Sequence, residues 1–211
     1  MAFRTLILSG VAAIAFAGAA QADNNIAHIE QASVNASTYA EIVQAGDANQ
    51  SRIDQFGNGT PPGWTTGKVG DAKVLQTGNR NDANVEQRGA LSWAGVTQVG
   101  NENTAGSVQS AYNSSLDIGQ LGNNNKAQVN QWAGGGTSAV VAQTGNTNEG
   151  NINQFGTSTD AVIGQLGNRN TADIMQNGAD NWGIVAQVGN GNVGTINTVG
   201  SNAIASITQS R

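Results

Sequence analysis

Residues 76–87 read QTGNRNDANVEQ, and the same pattern returns as QLGNRNTADIMQ from Gln165 to Gln176. Aligning the glutamines fixes the phase. From Gln76 they fall at Gln87, Gln98, Gln109, Gln120 and Gln131, and again at Gln143, Gln154, Gln165, Gln176 and Gln187, with Thr198 and Gln209 closing the series. Every step is eleven residues except the twelve between Gln131 and Gln143, and Gln31, Gln44 and Gln55 extend the series towards the N-terminus. Self-similarity at a fixed interval is the signature of a repeat architecture.

Asparagine-rich units alternate with looser ones such as QRGALSWAGVTQ (87–98) and QNGADNWGIVAQ (176–187), so the structural period is twenty-two residues. Within a unit the polarity alternates with period two. Asn81, Ala83, Val85 and Gln87 lie on one side and Asp82, Asn84 and Glu86 on the other, as in a strand. The alternation breaks at Gly89 and resumes with shifted parity at Ser92, Ala94, Val96 and Gln98, which predicts a strand, a tight arc and a second strand. Helix is disfavoured by glycine and asparagine every few residues, at roughly 0.5–1 kcal/mol each. The expected fold is an all-β solenoid of about eight rungs: 25–44, 49–76, 81–98, 103–120, 125–143, 148–165, 170–187 and 192–209. The second rung carries an insertion at about 57–70 that holds Pro61 and Pro62, and proline cannot donate to a ladder. Ser107 stands where the repeat asks for Val or Ile.

One rung buries about two Val or Ile side chains, worth roughly 3–6 kcal/mol. Ordering its residues costs on the order of 20 kcal/mol or more, so no rung folds alone. Stacking changes this, because each inward carboxamide then lies over its own copy and both donates and accepts. A buried amide without its partner costs roughly 1–3 kcal/mol, which is a physical reason for the same residue type to return on every rung. The residues expected to form this ladder are Asn81, Gln87, Gln98, Asn103, Gln109, Gln120, Asn125, Gln131, Gln143, Asn148, Gln154, Gln165, Asn170, Gln176, Gln187, Asn192 and Gln209.

The remaining composition excludes more than it suggests. The 211-residue chain has no cysteine, one histidine and a net charge of −5, too small and scattered for nucleic acid to be a primary partner. Arg4, the apolar run LILSGVAAIAFAGAA (6–20) and small residues at 20–22 have the layout of a secretory signal peptide, with cleavage expected after Ala22 and, as the alternative, after Ala20. The solenoid then occupies 23–211, with no membrane-spanning segment. His28 reads as a solvated outward residue, and the fourteen carboxylates form no recognisable catalytic pair, so neither an enzyme, a cofactor nor a metal site is expected. Outward acids such as Asp82, Glu86 and Asp160 oppose aggregation before export. Trp93 and Trp182 share an outward position, and threonines such as Thr104, Thr137 and Thr159 form no regular file of the kind an ice-binding solenoid presents. A monomeric β-solenoid that binds ice or carbohydrate is the rival to a polymerising one.

QTGNRNDANVEQ and QLGNNNKAQVNQ (120–131) resemble the curlin repeat, in which Q-x-G-x-x-N-x-A-x-x-x-Q units follow one another. That resemblance implies a left-handed amyloid-like solenoid and a subunit of curli, the extracellular fibres of bacterial surfaces and biofilms. It also implies export through a dedicated outer-membrane channel and assembly on a minor nucleator subunit; this chain is either the major subunit or that nucleator. Gln76, Asn81 and Gln87 match the family's stacked amides, as do Gln98, Asn103 and Gln109, and Gln165, Asn170 and Gln176. The match weakens at Thr198, at Ala111 and around Gln131, and no Gly-rich leader separates the signal peptide from NNIAHIEQ (24–31). Repeats running from that point to AIASITQSR (203–211) leave an uncapped stack at each end, able to grow by strand addition.

Overall fold

Short polar-apolar alternations punctuated by glycine give strands, and the described residues contain eighteen of them. A computed structural model describes residues 6–9, 13–17, 24–33, 36–57, 67–132 and 134–211. The strands are β1 (Leu6–Ser9), β2 (Ala13–Ala17), β3 (Ile26–Ser33), β4 (Ala36–Ala45), β5 (Gln50–Gly57), β6 (Gly67–Asn79), β7 (Asp82–Gln87), β8 (Ser92–Asn101) and β9 (Thr104–Gln109). They continue as β10 (Ser115–Asn123), β11 (Lys126–Trp132), β12 (Ser138–Asn146), β13 (Glu149–Thr157), β14 (Asp160–Asn168), β15 (Thr171–Ala179), β16 (Trp182–Asn190), β17 (Val193–Val199) and β18 (Ile204–Ser210).

Odd strands form one nine-stranded sheet and even strands another, each in unbroken order from β1 to β17 and from β2 to β18. All pairings are parallel, which in a chain of alternating strands requires each to lie on the strand two places earlier. The molecule is a β-solenoid with a period of about twenty-two residues, and β3 to β18 make its eight rungs. The register is that of the repeat: Gln87 pairs with Gln55 and Gln109, and Gln98 with Gln76 and Gln120.

The core lies between the sheets. Ile29, Ile53, Val85, Ser107, Val129, Ile152, Ile174 and Ile196 form the inward file of the odd sheet. Ile42, Val74, Val96, Ile118, Val141, Ile163, Val185 and Ile207 form that of the even sheet. Small residues such as Ala83, Ala94, Ala105 and Ala127 occupy the neighbouring inward positions, because the glutamine of the facing strand needs that space. Where Gly194 stands in this file, an added Cβ would come within 3.2 Å of the Gln187 amide nitrogen. Ser107 is buried with its hydroxyl unpartnered, and its rung also holds Leu116 where other rungs have a small residue. The two exchanges offset one another in volume.

Three segments depart from the regular rung. Strands bracket the proline-bearing insertion, with β5 running to Gly57 and β6 beginning at Gly67; residues 58–66 lie outside the described residues. The β4–β6 register shifts between Ser37 and Thr38 before Ala72, Val74 and Gln76 join the stack. The extra residue of the 131–143 step is taken up in an arc containing Gly134 and Gly136, both at positive φ, so β12 enters in register at Ser138. Finally, β1 and β2 fall within the stretch read as a signal peptide, and their backbones pair in parallel with β3 and β4. The expected cleavage point lies outside the described residues.

Candidate functional site

What could act in such a molecule is its repeated polar interior. Each of the first seven rungs contributes two glutamines, one at the end of each inward file, and the eighth has Thr198 and Gln209 at those positions. Along the even sheet, the Nε2 of Gln44, Gln76, Gln98, Gln120, Gln143, Gln165 and Gln187 donates to the Oε1 of the glutamine in the next rung, ending at Gln209. Along the odd sheet the chain of bonds runs from Gln31 through Gln55, Gln87, Gln109, Gln131 and Gln154 to Gln176, at 2.7–3.1 Å. The second amide hydrogen crosses the core to a backbone carbonyl of the facing strand, as from Gln98 to Asp82 O (2.9 Å) and from Gln109 to Trp93 O (3.0 Å). Each interior glutamine thus uses both hydrogens and its oxygen in a dry setting. The sites at Gln87, Gln109, Gln131 and Gln154 are fully buried.

A third ladder runs the opposite way. Asn81, Asn103, Asn125, Asn148, Asn170 and Asn192 sit at the turn leading from one rung into the next. From Asn81 to Asn170, the Oδ1 of each accepts both the backbone N–H and the Nδ2 of the asparagine one rung on, as at Asn81 from Asn103 (3.1 and 3.0 Å). The Nδ2 of Asn103 also reaches Gly122 O at 2.8 Å. Glycine is obligatory beside it. Gly100 has φ +121, and a Cβ there would lie 1.9 Å from Gly122 O, closer than any rotation relieves.

The sequence reading missed a fourth ladder, although its signal is the first asparagine of every G-N-x-N. The exposed Asn79, Asn101, Asn123, Asn146, Asn168 and Asn190 are linked along the outside of that turn in the opposite direction, each up to Asn168 donating its backbone N–H and Nδ2 to the Oδ1 of the asparagine one rung on. Gln31, Gln44 and Gln55, placed in the glutamine series but not among the ladder residues, extend the inner ladders into the first two rungs together with Gln76, and Asn49 was not singled out. Positive φ at the non-glycine residues Arg80, Glu102, Asn124, Thr147 and Arg169 carries no composition signal at all.

The ladders end unevenly. Gln209 is half-buried and donates to Val193 O at 2.8 Å. At Gln176 the odd-sheet run stops, because Thr198 follows it in register and is too short to continue the amide chain. Val199 and Ile204, in β17 and β18, are each 77% exposed at the outer edge of their sheets.

On the outer surface, burial raises the carboxyl pKa of Asp82 and of Asp117 above the ordinary aspartate value. Trp93 and Trp182 share one outward file, and the Trp93 ring covers Gly95 beside Asp117. Among the described residues one set of metal-capable donors converges: His28, Glu30 and Asp54, with one ligand atom from each within 4.8 Å of the others. His28 faces outward as expected, yet it is half-buried beside two carboxylates that lie far apart in the sequence. Grooves along the asparagine turn, lined by Asn146, Thr147, Asn168, Arg169 and Asn190, are shallow and offer no acid-base pair.

A family model described as the curlin associated repeat matches residues 72–110, 145–178 and 167–192. The chain carries the curlin associated repeat. The matched curlin repeats fall on β6 to β9 and from the end of β12 to β16. The unmatched stretch between them contains Ala111 and the lengthened arc at Gly134–Gly136. No curated protein and no solved structure matches the chain.

Proposed function

We propose that this curlin-repeat solenoid is a structural subunit of an extracellular functional-amyloid fibre of the curli type and polymerises end to end by strand stacking. The curlin family is one of fibre subunits rather than enzymes, and the fold fits that role. The observation that carries the reading is the edge formed by β17 and β18. It presents parallel-strand backbone, the Gln209 amide and the exposed Val199 and Ile204 in the spacing of a further rung. A second copy adding its β3 and β4 there would continue both sheets, at about 4.8 Å per rung. The seventeen amides named from the sequence are, in this proposal, the template that fixes register across the joint.

Residues 1–22 serve as the export signal, and their removal frees β3 and β4 to accept the end of another subunit. The backbone pairing of β1 and β2 along that edge supports its capacity to take up strands. Passage through a curli secretion channel, attachment to a nucleator subunit, and a role in adhesion and biofilm matrix belong to the same proposal. The test is a thioflavin-monitored growth assay on the chain lacking residues 1–22, followed by electron microscopy and fibre diffraction. Expected are a lag, its abolition by seeds, and unbranched fibres with a meridional spacing near 4.8 Å. Persistent monomer that ignores seeds would overturn the proposal and favour a monomeric binding solenoid.

A further inference from the structure

Stacking accounts for the inner ladders but not for a group of charges on the outer face of the first rungs. Glu30, Asp54 and Glu86 occupy one register position on β3, β5 and β7. Like charges directly opposite on adjacent strands are destabilising, and by the next rung the position is Val108. Cations answer part of this. Arg52 Nε lies 2.5 Å from Asp54 Oδ2 and its terminal nitrogen 3.7 Å from Glu30 Oε2, while Glu86 pairs with Arg88. His28 Nε2 is 3.8 Å from Glu30 Oε2. One acceptor is left over. Asp54 is only 7% exposed, and its Oδ1 is buried with no hydrogen-bond partner, a cost that an uncompensated carboxylate oxygen does not bear without reason.

We propose that His28, Glu30 and Asp54 form a divalent-cation site of the zinc type that joins the first rung to the second. One donor atom from each of the three lies within 4.8 Å of the others, and ligands around a tetrahedral zinc sit about 3.4 Å apart, so a modest closure suffices. His28 and Glu30 are only partly buried, with side chains 26% and 34% exposed. An imidazole with two carboxylates is a borderline donor set, suited to Zn²⁺ and poorly suited to Ca²⁺ or Mg²⁺, which take oxygen alone. Arg52 holds the place of the ion by pairing with Asp54 and Glu30. Its side chain is 53% exposed, so it swings into solvent when the ion enters. Because β3 supplies two ligands and β5 the third, the ion ties neighbouring strands together across the sheet.

The test is equilibrium dialysis of Zn²⁺ alone against the untagged chain, with Co²⁺ absorption as a direct reading of coordination. The wild-type chain is expected to take up one ion and to give a tetrahedral Co²⁺ spectrum. His28→Gln and Asp54→Asn are each expected to weaken binding about ten-fold or more. Arg52→Gln removes the competing cation and is expected to tighten it, an effect that a merely structural ion-pair cluster would not produce. Glu102→Gln, an exposed carboxylate elsewhere that pairs with Arg80, leaves it unchanged. Binding by His28→Gln equal to wild type, weaker binding by Arg52→Gln, or no uptake by the wild-type chain overturns the site. None of these outcomes bears on whether the chain forms fibres.

Discussion

Between rungs, the chain turns through Gly78-Asn79-Arg80-Asn81, Gly100-Asn101-Glu102-Asn103 and Gly167-Asn168-Arg169-Asn170, always five residues from glutamine to buried asparagine. Within a rung, it turns through Gly89-Ala90-Leu91-Ser92, then Ala111-Tyr112-Asn113-Ser114, then a lengthened arc ending in Gly136-Thr137, and later Gly178-Ala179-Asp180-Asn181. Both turns place a non-glycine residue in the left-handed region, Arg80 and Glu102 at φ 55 and 58 in the first and Leu91 and Asn113 at φ 58 and 50 in the second. What differs is the buried side chain that follows. In the first turn it is an asparagine tied to the rungs on both sides. In the second it varies: Ser92 bonds Ala111 O, Ser114 accepts from Thr137, Thr159 has no partner for its hydroxyl, and in one rung Asn181 donates to Gly200 O.

Every change of repeat length in the molecule falls in the second kind of turn. The thirteen-residue step from Gln31 to Gln44, the long insertion after Gly57 and the extra residue before Thr137 all lie between an odd strand and the even strand that follows it. The first turn sets the rise to the next rung, and its asparagine bonds each neighbour at a fixed distance, so an added residue there would break ladders in two directions. The second turn only has to bring the chain back across the core.

The largest expected effect comes from moving an insertion between the two turns. One glycine added between Asn101 and Glu102 should cost more than about 4 kcal/mol, because it orphans ladder amides in neighbouring rungs. The same residue added between Gly135 and Gly136 should cost less than about 1 kcal/mol, the entropy of a slightly longer loop. Denaturant midpoints read both, and equal losses would break the comparison. Next in size is Asn103→Ala, which takes from Asn81 Oδ1 one of its two donors and removes the side-chain bonds to Gly122 O and from the Asn125 N–H. It should cost about 3 kcal/mol or more, against about 1 kcal/mol for Ser114→Ala, whose hydroxyl makes two bonds of 3.0–3.2 Å. Smaller again, and opposite in sign, Thr159→Asn should raise stability by about 1 kcal/mol, by giving the second turn an amide next to Asn181, which already caps Gly200 O.

The smallest effect is one of pH, with one carboxylate following each kind of turn. Burial raises the pKa of Asp82, just past Asn81, and of Asp117, just past Ser114. The folded chain therefore binds a proton more readily than the unfolded chain at both sites. That contribution to stability is complete below the unfolded value of about 3.9 and is lost as pH rises through the raised folded values. Stability profiles should rise on mild acidification, and Asp82→Asn and Asp117→Asn should each flatten them. A profile unchanged by both substitutions would remove burial as the cause.

Phase and period were legible because side chains alternate in a strand whatever it packs against, so Ala83, Val85 and Gln87 announce an inward file on their own. The glutamines and asparagines could be named for the same reason: a buried amide needs its twin, and need at a fixed interval is a pattern in one dimension. Less could be seen where neighbours come from different rungs. Ser107 reads as a defect until Leu116 is found on the same rung, and Arg80 or Leu91 gives no hint of a left-handed backbone. His28 looks like an isolated solvated histidine because Asp54 stands twenty-six residues away in the chain and one strand away in the sheet.

Repetition of residue types thus determined, from the sequence alone, which side chains face inward and how many rungs there are. Only the stacked structure decided the direction of each amide ladder, the difference between the two turns and the meeting of charges on the outer face. Inward facing is a property of a strand by itself, whereas these arise between strands that the chain separates and hydrogen bonding brings back into register.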